Sequence, residues 1–335
     1  MEENENKMKV NGVIVPCITF FNKNHEIYRE LNSLLIQHVI LNGADSIFIF
    51  GNTGEGVYFY DNIKEKRKYL DLTFEQTSDK FPVLLGVFGN KIDEVIDQLE
   101  IFAKDYTSLN FIIAPPFTHK LDKSQIKEYL ENIINSVSFK NHIYLYNNPN
   151  TFGANHIDDE ILKELLKNPN LKGIKDTTSD INNVKSFLKY LSDDFRVYCG
   201  EEKNYAAFLK MIPLELRKHT GLVPSISNIS NICSAMFQKA LKGEDSQLDN
   251  LQEELNRQQK IIYDIRVPRG QEPRGLKHSF YFIYENTINV SEDDATIVSS
   301  ALERKIEKEI KDRQRINLKN LLESKTVQKI SKEKK

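Results

Sequence analysis

A (β/α)8 TIM barrel followed by a C-terminal helical extension is the fold class the sequence predicts, on three observations. Eight short apolar runs alternate with amphipathic stretches between Gly12 and Gly243. The runs are rich in Val, Ile and Phe without polar alternation, as strands covered on both faces require. Past about residue 245 the pattern becomes wholly helical. A doubly wound open sheet is the competing reading. Against it, no Gly-x-Gly-x-x-Gly follows the first strand. Gly51 to Gly56 has neither the spacing of a dinucleotide fingerprint nor the Gly-Lys-Ser/Thr close of a phosphate-binding loop.

In order, Gly12–Thr19 reads as the first buried strand, and Leu31–Leu41 as a helix stopped by Asn42-Gly43, a C-terminal signal. Ser46–Phe50 is the second strand. It runs into Gly51-Asn52-Thr53-Gly54-Glu55-Gly56, with a charged helix from about Asp61. Strands follow at Phe81–Phe88, Leu109–Ala114, His142–Tyr146, Leu171–Lys175, Arg196–Cys199 and Gly221–Val223. The helices between them fall at Lys91–Lys104, Lys123–Ser136, Asp158–Leu166 and Ile181–Leu191, then from about Tyr205 and about Asn228. Leu248–Tyr263, Gly275–Tyr284 and a long segment from about Ser291 past Leu322 are read as further helices. The expected organisation is a polar leader over 1–11, a barrel domain over 12–243, a helical region over 244–325 and a disordered basic tail over 326–335.

A chain of 335 residues with a formal net charge of −2 has the size for one such barrel and no polyanion-binding character. The start lacks the apolar core of a signal peptide, and no run is long enough to span a bilayer. Cys17, Cys199 and Cys233 are distant and odd in number, which suits small buried hydrophobes in a reducing compartment better than disulfides or a zinc site. A cytoplasmic protein is expected, with no membrane partner. Beyond Arg304 basic residues outnumber acidic ones about two to one, a pattern read as solvated helix faces or frayed tail rather than a nucleic-acid site.

In a barrel, reactive groups belong at the C-terminal ends of the strands. Lys175 ends an apolar strand, where a cation is costly unless it is neutral or has a task; it either reaches solvent at the strand end or, desolvated, is a nucleophile toward carbonyl carbon. Tyr146 ends the adjacent strand, about 4.8 Å away by sheet spacing, and a phenol there can move protons. The backbone amides of the turn at Gly51, with Asn52 and Thr53, suit a carboxylate. Gly200-Glu201-Glu202 follows the seventh strand. Lys175 adding to a 2-oxo acid would give a protonated imine, an electron sink for cleavage of a C–C bond.

These residues also carry a family resemblance. Gly51-Asn52-Thr53-Gly54-Glu55 resembles the GTTGE or GSTGE turn of the dihydrodipicolinate synthase and N-acetylneuraminate lyase superfamily, and Tyr146-Asn147-Asn148-Pro149 its YNxP segment. Gly173-Ile174-Lys175-Asp176 is similar to its Schiff-base segment GIK[DE], and Gly221-Leu222-Val223-Pro224 to its glycine-led eighth strand. The helical C-terminal region is similar too, notably at Gly275-Leu276-Lys277. The resemblance implies a pyruvate-type class I aldolase or lyase that uses no metal or cofactor beyond the covalent lysine imine. It also implies a small 2-oxo acid substrate and a homo-oligomer built as a dimer of dimers. Carried onto this chain it makes Lys175 and Tyr146 catalytic, with Gly51, Asn52, Thr53, Gly200, Glu201 and Val223 around the substrate.

Departures point to a branch. Thr151 stands where the synthases usually carry an arginine for a second carboxylate, and a neutral side chain cannot make that bidentate pair. The Tyr-Leu-Tyr-Asn-x-Pro and Ile-Lys-Asp-Thr segments look more like the 2-keto-3-deoxy-sugar-acid aldolases, where Glu201 and Glu202 would face a polyhydroxyl tail; the alternative for the pair is two solvated helix-start carboxylates. Phe117-Thr118 replaces the family's paired tyrosines, one of which reaches across a dimer interface; Thr118 and His119 are the candidate substitutes. A synthase-like condensation, a sugar-acid dehydratase, and a barrel that binds without turnover are the alternatives.

Overall fold

Residues 9–22, 24–77, 81–137, 139, 141–263 and 272–284 are described by the computed structural model. Eight parallel strands close into a barrel in sequence order: β1 (Gly12–Pro16), β2 (Ser46–Ile49), β3 (Val83–Val87), β4 (Leu109–Ile113), β5 (Ile143–Asn147), β6 (Leu171–Asp176), β7 (Arg196–Cys199) and β8 (Gly221–Leu222). Every strand residue except Lys172 is buried. That is why these segments read as apolar runs rather than as alternating patterns.

The helices are α1 (Arg29–Leu41), α2 (Ile63–Gln76), α3 (Ile92–Asp105), α4 (Lys123–Ser136), α5 (Asp159–Leu165), α6 (Ile181–Phe187), α7 (Tyr205–Lys210) and α8 (Ile232–Leu241), with α9 (Leu248–Ile262) and α10 (Glu272–Tyr284) beyond the barrel. Their ends follow from local chemistry. Gly43 takes φ +88° to close α1. Asp122 and Gln125 form a reciprocal capping box on α4. The Asp158 side chain accepts from Ile161 N at 3.0 Å to start α5.

Two apolar layers result. One fills the space between strands and helices, including Ile49, Leu85, Ile174 and Val197; the other fills the barrel, including Val10, Phe48, Phe88, Tyr144, Tyr146, Tyr198 and Val223. The chain therefore enters the core before Gly12. Val10 is fully buried, and its carbonyl accepts from the Tyr198 hydroxyl at 2.7 Å.

Several segments differ from their expected form, among them the helix expected from about Asn228, which is a 3-10 turn over Ser225–Asn228 with the α-helix starting at Ile232. The helix expected over Ile181–Leu191 ends at Phe187 and continues as a 3-10 turn, Leu188–Tyr190. The Ser192 hydroxyl then receives Phe195 N at 3.2 Å and starts the turn into β7. The helix expected from about Tyr205 ends at Lys210, and a 3-10 helix over Leu214–His219 leads on to β8. It is anchored by buried Arg217, which donates to Ile212 O (3.0 Å), Ala240 O (2.8 Å) and Asp245 Oδ2 (2.8 Å). Helix α10 begins at Glu272 rather than at Gly275. The helix expected beyond Ser291, the tail from 326 and residues 1–8 lie outside the described residues. No helix among the described residues is long and apolar enough to cross a membrane.

Candidate active site

Parallel pairing sets Tyr146 on β5 opposite Lys175 on β6, and Lys175 opposite Tyr198 on β7. Strand alternation sends Lys175 into the barrel and its neighbours Ile174 and Asp176 toward the helices. Lys175 is 4 % exposed; its Nζ lies 3.7 Å from the centre of the Tyr146 ring and 5.6 Å from that of Phe48. Burial pushes the amine's pKa below its ordinary value, against the upward pull of Tyr146, Asp176 and Cys199. Excluding water disfavours the charged form, which shifts the balance toward the nucleophilic free amine.

Asp176 has a different task. Its carboxylate accepts from Asn147 Nδ2, Thr178 Oγ1 and Asn183 Nδ2, each at 2.7 Å. These bonds tie the end of β6 to β5 and α6, while burial pushes the carboxyl's pKa up.

The turn after β2 is built by close backbone packing. Phe50 takes φ +52° and is fully buried. A Cβ at Gly56 would overlap the Phe50 carbonyl oxygen, so glycine is required there. Asn52 and Thr53 are partly exposed, and Thr53 Oγ1 lies 2.6 Å from Ser225 Oγ beyond β8. Glu55, at φ +61°, pairs with Lys277 of α10; the side chains are 15 % and 7 % exposed. The Phe48 ring connects this turn to the amine: a Cβ on Gly51 would come within 2.6 Å of it, and it lies 6.1 Å, edge-on, from Tyr146.

Gly200 follows β7 directly against the lysine, where a Cβ would stand 2.9 Å from Lys175 Cε. Val223 is 3 % exposed and packs in the same interior cluster as Phe48 and Tyr146. Lys175, Tyr146, Gly200, Val223 and, through Phe48, the Gly51 turn thus meet at the C-terminal mouth. A surface cleft of about 310 Å³ between α4 and α5, lined by Glu131, Glu164 and Lys167 among others, is separate from these residues.

The family model of the dihydrodipicolinate synthetase family matches residues 9–283. The chain belongs to that family. The 4-hydroxy-tetrahydrodipicolinate synthase of Nitrosospira multiformis is 28% identical over 200 residues, 60% of this chain and 65% of that protein. The chain thus matches just under two thirds of that relative's length. The 2-dehydro-3-deoxy-D-gluconate/2-dehydro-3-deoxy-phosphogluconate aldolase of Picrophilus torridus is 30% identical over 186 residues, 55% of this chain and 66% of that protein. The solved dihydrodipicolinate synthase of Bacteroides thetaiotaomicron superposes with a TM-score of 0.75 at 20% identity, covering 93% of this chain and 99% of that one, and shares the fold.

Within this dihydrodipicolinate synthetase family member, the other expected positions have polar partners of their own. Thr118 is exposed and donates to Asn90 Oδ1 at 2.9 Å; Asn90 Oδ1 also accepts from the backbone N of Phe117 and Thr118, both at 3.1 Å. His119, exposed beside it, has Nδ1 3.2 Å from Thr118 Oγ1. Glu201 lies 4.0 Å from Lys203 Nζ. Glu202 is neither solvated nor free for a substrate. It is 7 % exposed and accepts from Ile226 N and Tyr263 Oη, both at 2.9 Å, and from Gln259. It pins α9 to the end of β7, and burial pushes its pKa up. Thr151 accepts from Asn148 Nδ2 at 3.0 Å, and the same nitrogen donates to Tyr146 Oη at 3.2 Å. Sequence reasoning passed over Asn148, Ser225 and the Glu55–Lys277 pair. The available signal was a polar residue in the variable slot of Tyr-Asn-x-Pro.

Proposed function

We propose that the chain is a Schiff-base class I lyase or aldolase that reversibly cleaves a 2-keto-3-deoxy sugar acid, or a related 2-oxo acid, to pyruvate and an aldehyde. One observation carries the proposal: a buried amine with a depressed pKa lies against the face of a tyrosine at the C-terminal mouth of the barrel. The Lys175 nitrogen adds to the keto carbon to give a carbinolamine. Its lone pair then forms the C=N bond as the C–O bond breaks, and the departing hydroxyl leaves as water with the Tyr146 proton. As the iminium accepts the electrons of the bond beyond the α carbon, the Tyr146 phenolate takes the proton of the hydroxyl on the departing carbon, which leaves as the aldehyde. The phenol then protonates the enamine, and water adds to the resulting iminium to release pyruvate and free the lysine. The Asn52-Thr53 turn would hold the substrate carboxylate, and Gly200, Glu201 and Val223 would line the rest. Lysine and the phenol supply the chemistry with no added cofactor in this reading, and the expected dimer of dimers belongs to the same proposal.

Assaying pyruvate release from a panel of 2-keto-3-deoxy sugar acids tests the substrate class; cleavage of none, with condensation onto an amino-aldehyde instead, would replace it with a synthase. That second reading is favoured by the name of the Nitrosospira relative. It is disfavoured by Thr151, a neutral residue engaged with Asn148 rather than a cation for a second carboxylate. Pyruvate binding without deuterium exchange at its methyl group would favour a barrel that only binds.

A further inference from the structure

Tyr146 is surrounded by apolar rings: Phe48 at 6.1 Å, Phe88 at 6.2 Å and Phe152 at 5.2 Å between centroids. In that setting the hydroxyl's hydrogen-bond partner decides which way its hydrogen points and how a charge on its oxygen is held. Besides Lys175, whose amine also bears on the hydroxyl, a partner comes from the same strand end. Asn148 is 4 % exposed, and its Nδ2 donates one hydrogen to Tyr146 Oη at 3.2 Å and the other to Thr151 Oγ1 at 3.0 Å. The amide is held by its own backbone, since the Asn148 carbonyl accepts from Thr151 N and Phe152 N, both at 3.0 Å. Pro149 fixes the bend between them. A turn with three bonds back to one asparagine holds that side chain in place.

We propose that Asn148 is a positioning residue for proton transfer: by donating to Tyr146 Oη from within the same chain, it turns the phenolic hydrogen toward the substrate and holds the oxygen once the proton has gone. The proposal rests on the imine reading above and deepens it. In carbinolamine breakdown the Tyr146 proton leaves with the hydroxyl as water, while the nitrogen lone pair completes the C=N bond. The phenolate then takes a proton from the pyruvate methyl group, leaving the enamine and restoring the phenol. Asn148 donates to the same oxygen before and after each transfer, and its contribution is largest when that oxygen is negative. Thr151, neutral and accepting, keeps the second amide hydrogen occupied.

The test uses the full chain and pyruvate, with two readouts on each variant: borohydride trapping of the imine, and deuterium exchange into the pyruvate methyl group. Asn148→Leu keeps the size and removes the donor. It is expected to retain half-saturation for trapping within about twofold and to lose about 10²-fold in exchange rate at saturating pyruvate, the loss typical of one removed oxyanion donor. Asn148→Asp is the second variant. Its ionised carboxylate accepts the phenolic hydrogen instead of donating, so exchange falls at neutral pH and recovers partly as pH drops and the acid can donate. A role confined to folding gives no such recovery. Exchange at the unmodified rate in Asn148→Leu, or a pH profile in Asn148→Asp parallel to that of the unmodified protein, overturns the proposal. Absence of a trapped adduct in the unmodified protein overturns the imine reading itself, and this inference with it.

Discussion

Replacing Gly200 by alanine is the most direct perturbation of the amine that leaves the amine in place. The new Cβ would stand 2.9 Å from Lys175 Cε and overlap Thr177 Oγ1. Carbon atoms in comfortable contact sit about 3.5–4.0 Å apart, so Cε must retreat by roughly 0.6 Å or more. Thr177 can yield more easily, because its hydroxyl has no hydrogen-bond partner among the described residues. Lys175, 4 % exposed and packed on Tyr146, has no such slack. Overpacking of this kind costs about 1–3 kcal/mol in stability, and a misplacement near 1 Å costs about 10²-fold in rate. The expected result is a protein that folds with a lowered urea midpoint and forms the trappable pyruvate adduct about 10-fold or more slowly. Adding Thr177→Ala removes the threonine overlap but not the contact with Cε, so the double variant should stay slow. Trapping at the unmodified rate in Gly200→Ala, or full rescue by Thr177→Ala, would refute the placement of the amine argued here.

Other perturbations have equally defined outcomes. Tyr146→Phe should still accumulate some imine but lose about 10²–10⁴-fold in methyl deuterium exchange, measured by NMR. Glu55→Gln or Lys277→Met strands a buried charge, with an expected loss of about 3–5 kcal/mol in urea unfolding and faster amide exchange over residues 272–284. The double variant should recover part of that loss. Lys66 is fully buried, donating to Tyr60 O at 2.8 Å and Gln98 Oε1 at 2.7 Å, and burial lowers its pKa from 10.5 to about 7. Between those values the unfolded chain holds a proton that the folded one has released, so stability rises with pH, by up to about 1.4 kcal/mol per unit from this group. Unfolding free energies at pH 7 and 9 should show that rise, and Lys66→Met should flatten it; an equal slope in both proteins would count against it.

How much could be read beforehand differs by element. The eight strands were legible because burial on both faces leaves uninterrupted Val, Ile and Phe; Lys175 alone could as well have reached solvent, and it stood out only together with Tyr146 on the adjacent strand and the Asn52-Thr53 turn. Asn42-Gly43 marked the end of α1 because few residues other than glycine take its positive φ without cost. The pairing of Lys277 with Glu55 was hidden: 222 positions separate them, and neither residue type says which partner the fold brings. Glu202 was misread for a related reason. As a carboxylate after β7 it looked solvated or substrate-facing, yet α9 covers it and supplies Gln259 and Tyr263. Asn148 sits in a slot the family motif leaves open, and only the fold of the Pro149 turn brings its amide to the Tyr146 hydroxyl.

The central claim is that one buried amine bonds covalently to a keto carbon. Incubation with pyruvate and borohydride, followed by peptide mass mapping, tests it directly. A single reduced adduct is expected, on the peptide carrying Lys175, and it should disappear in Lys175→Ala. An adduct on Lys66 or on surface lysines alone, or no adduct at all, would contradict it.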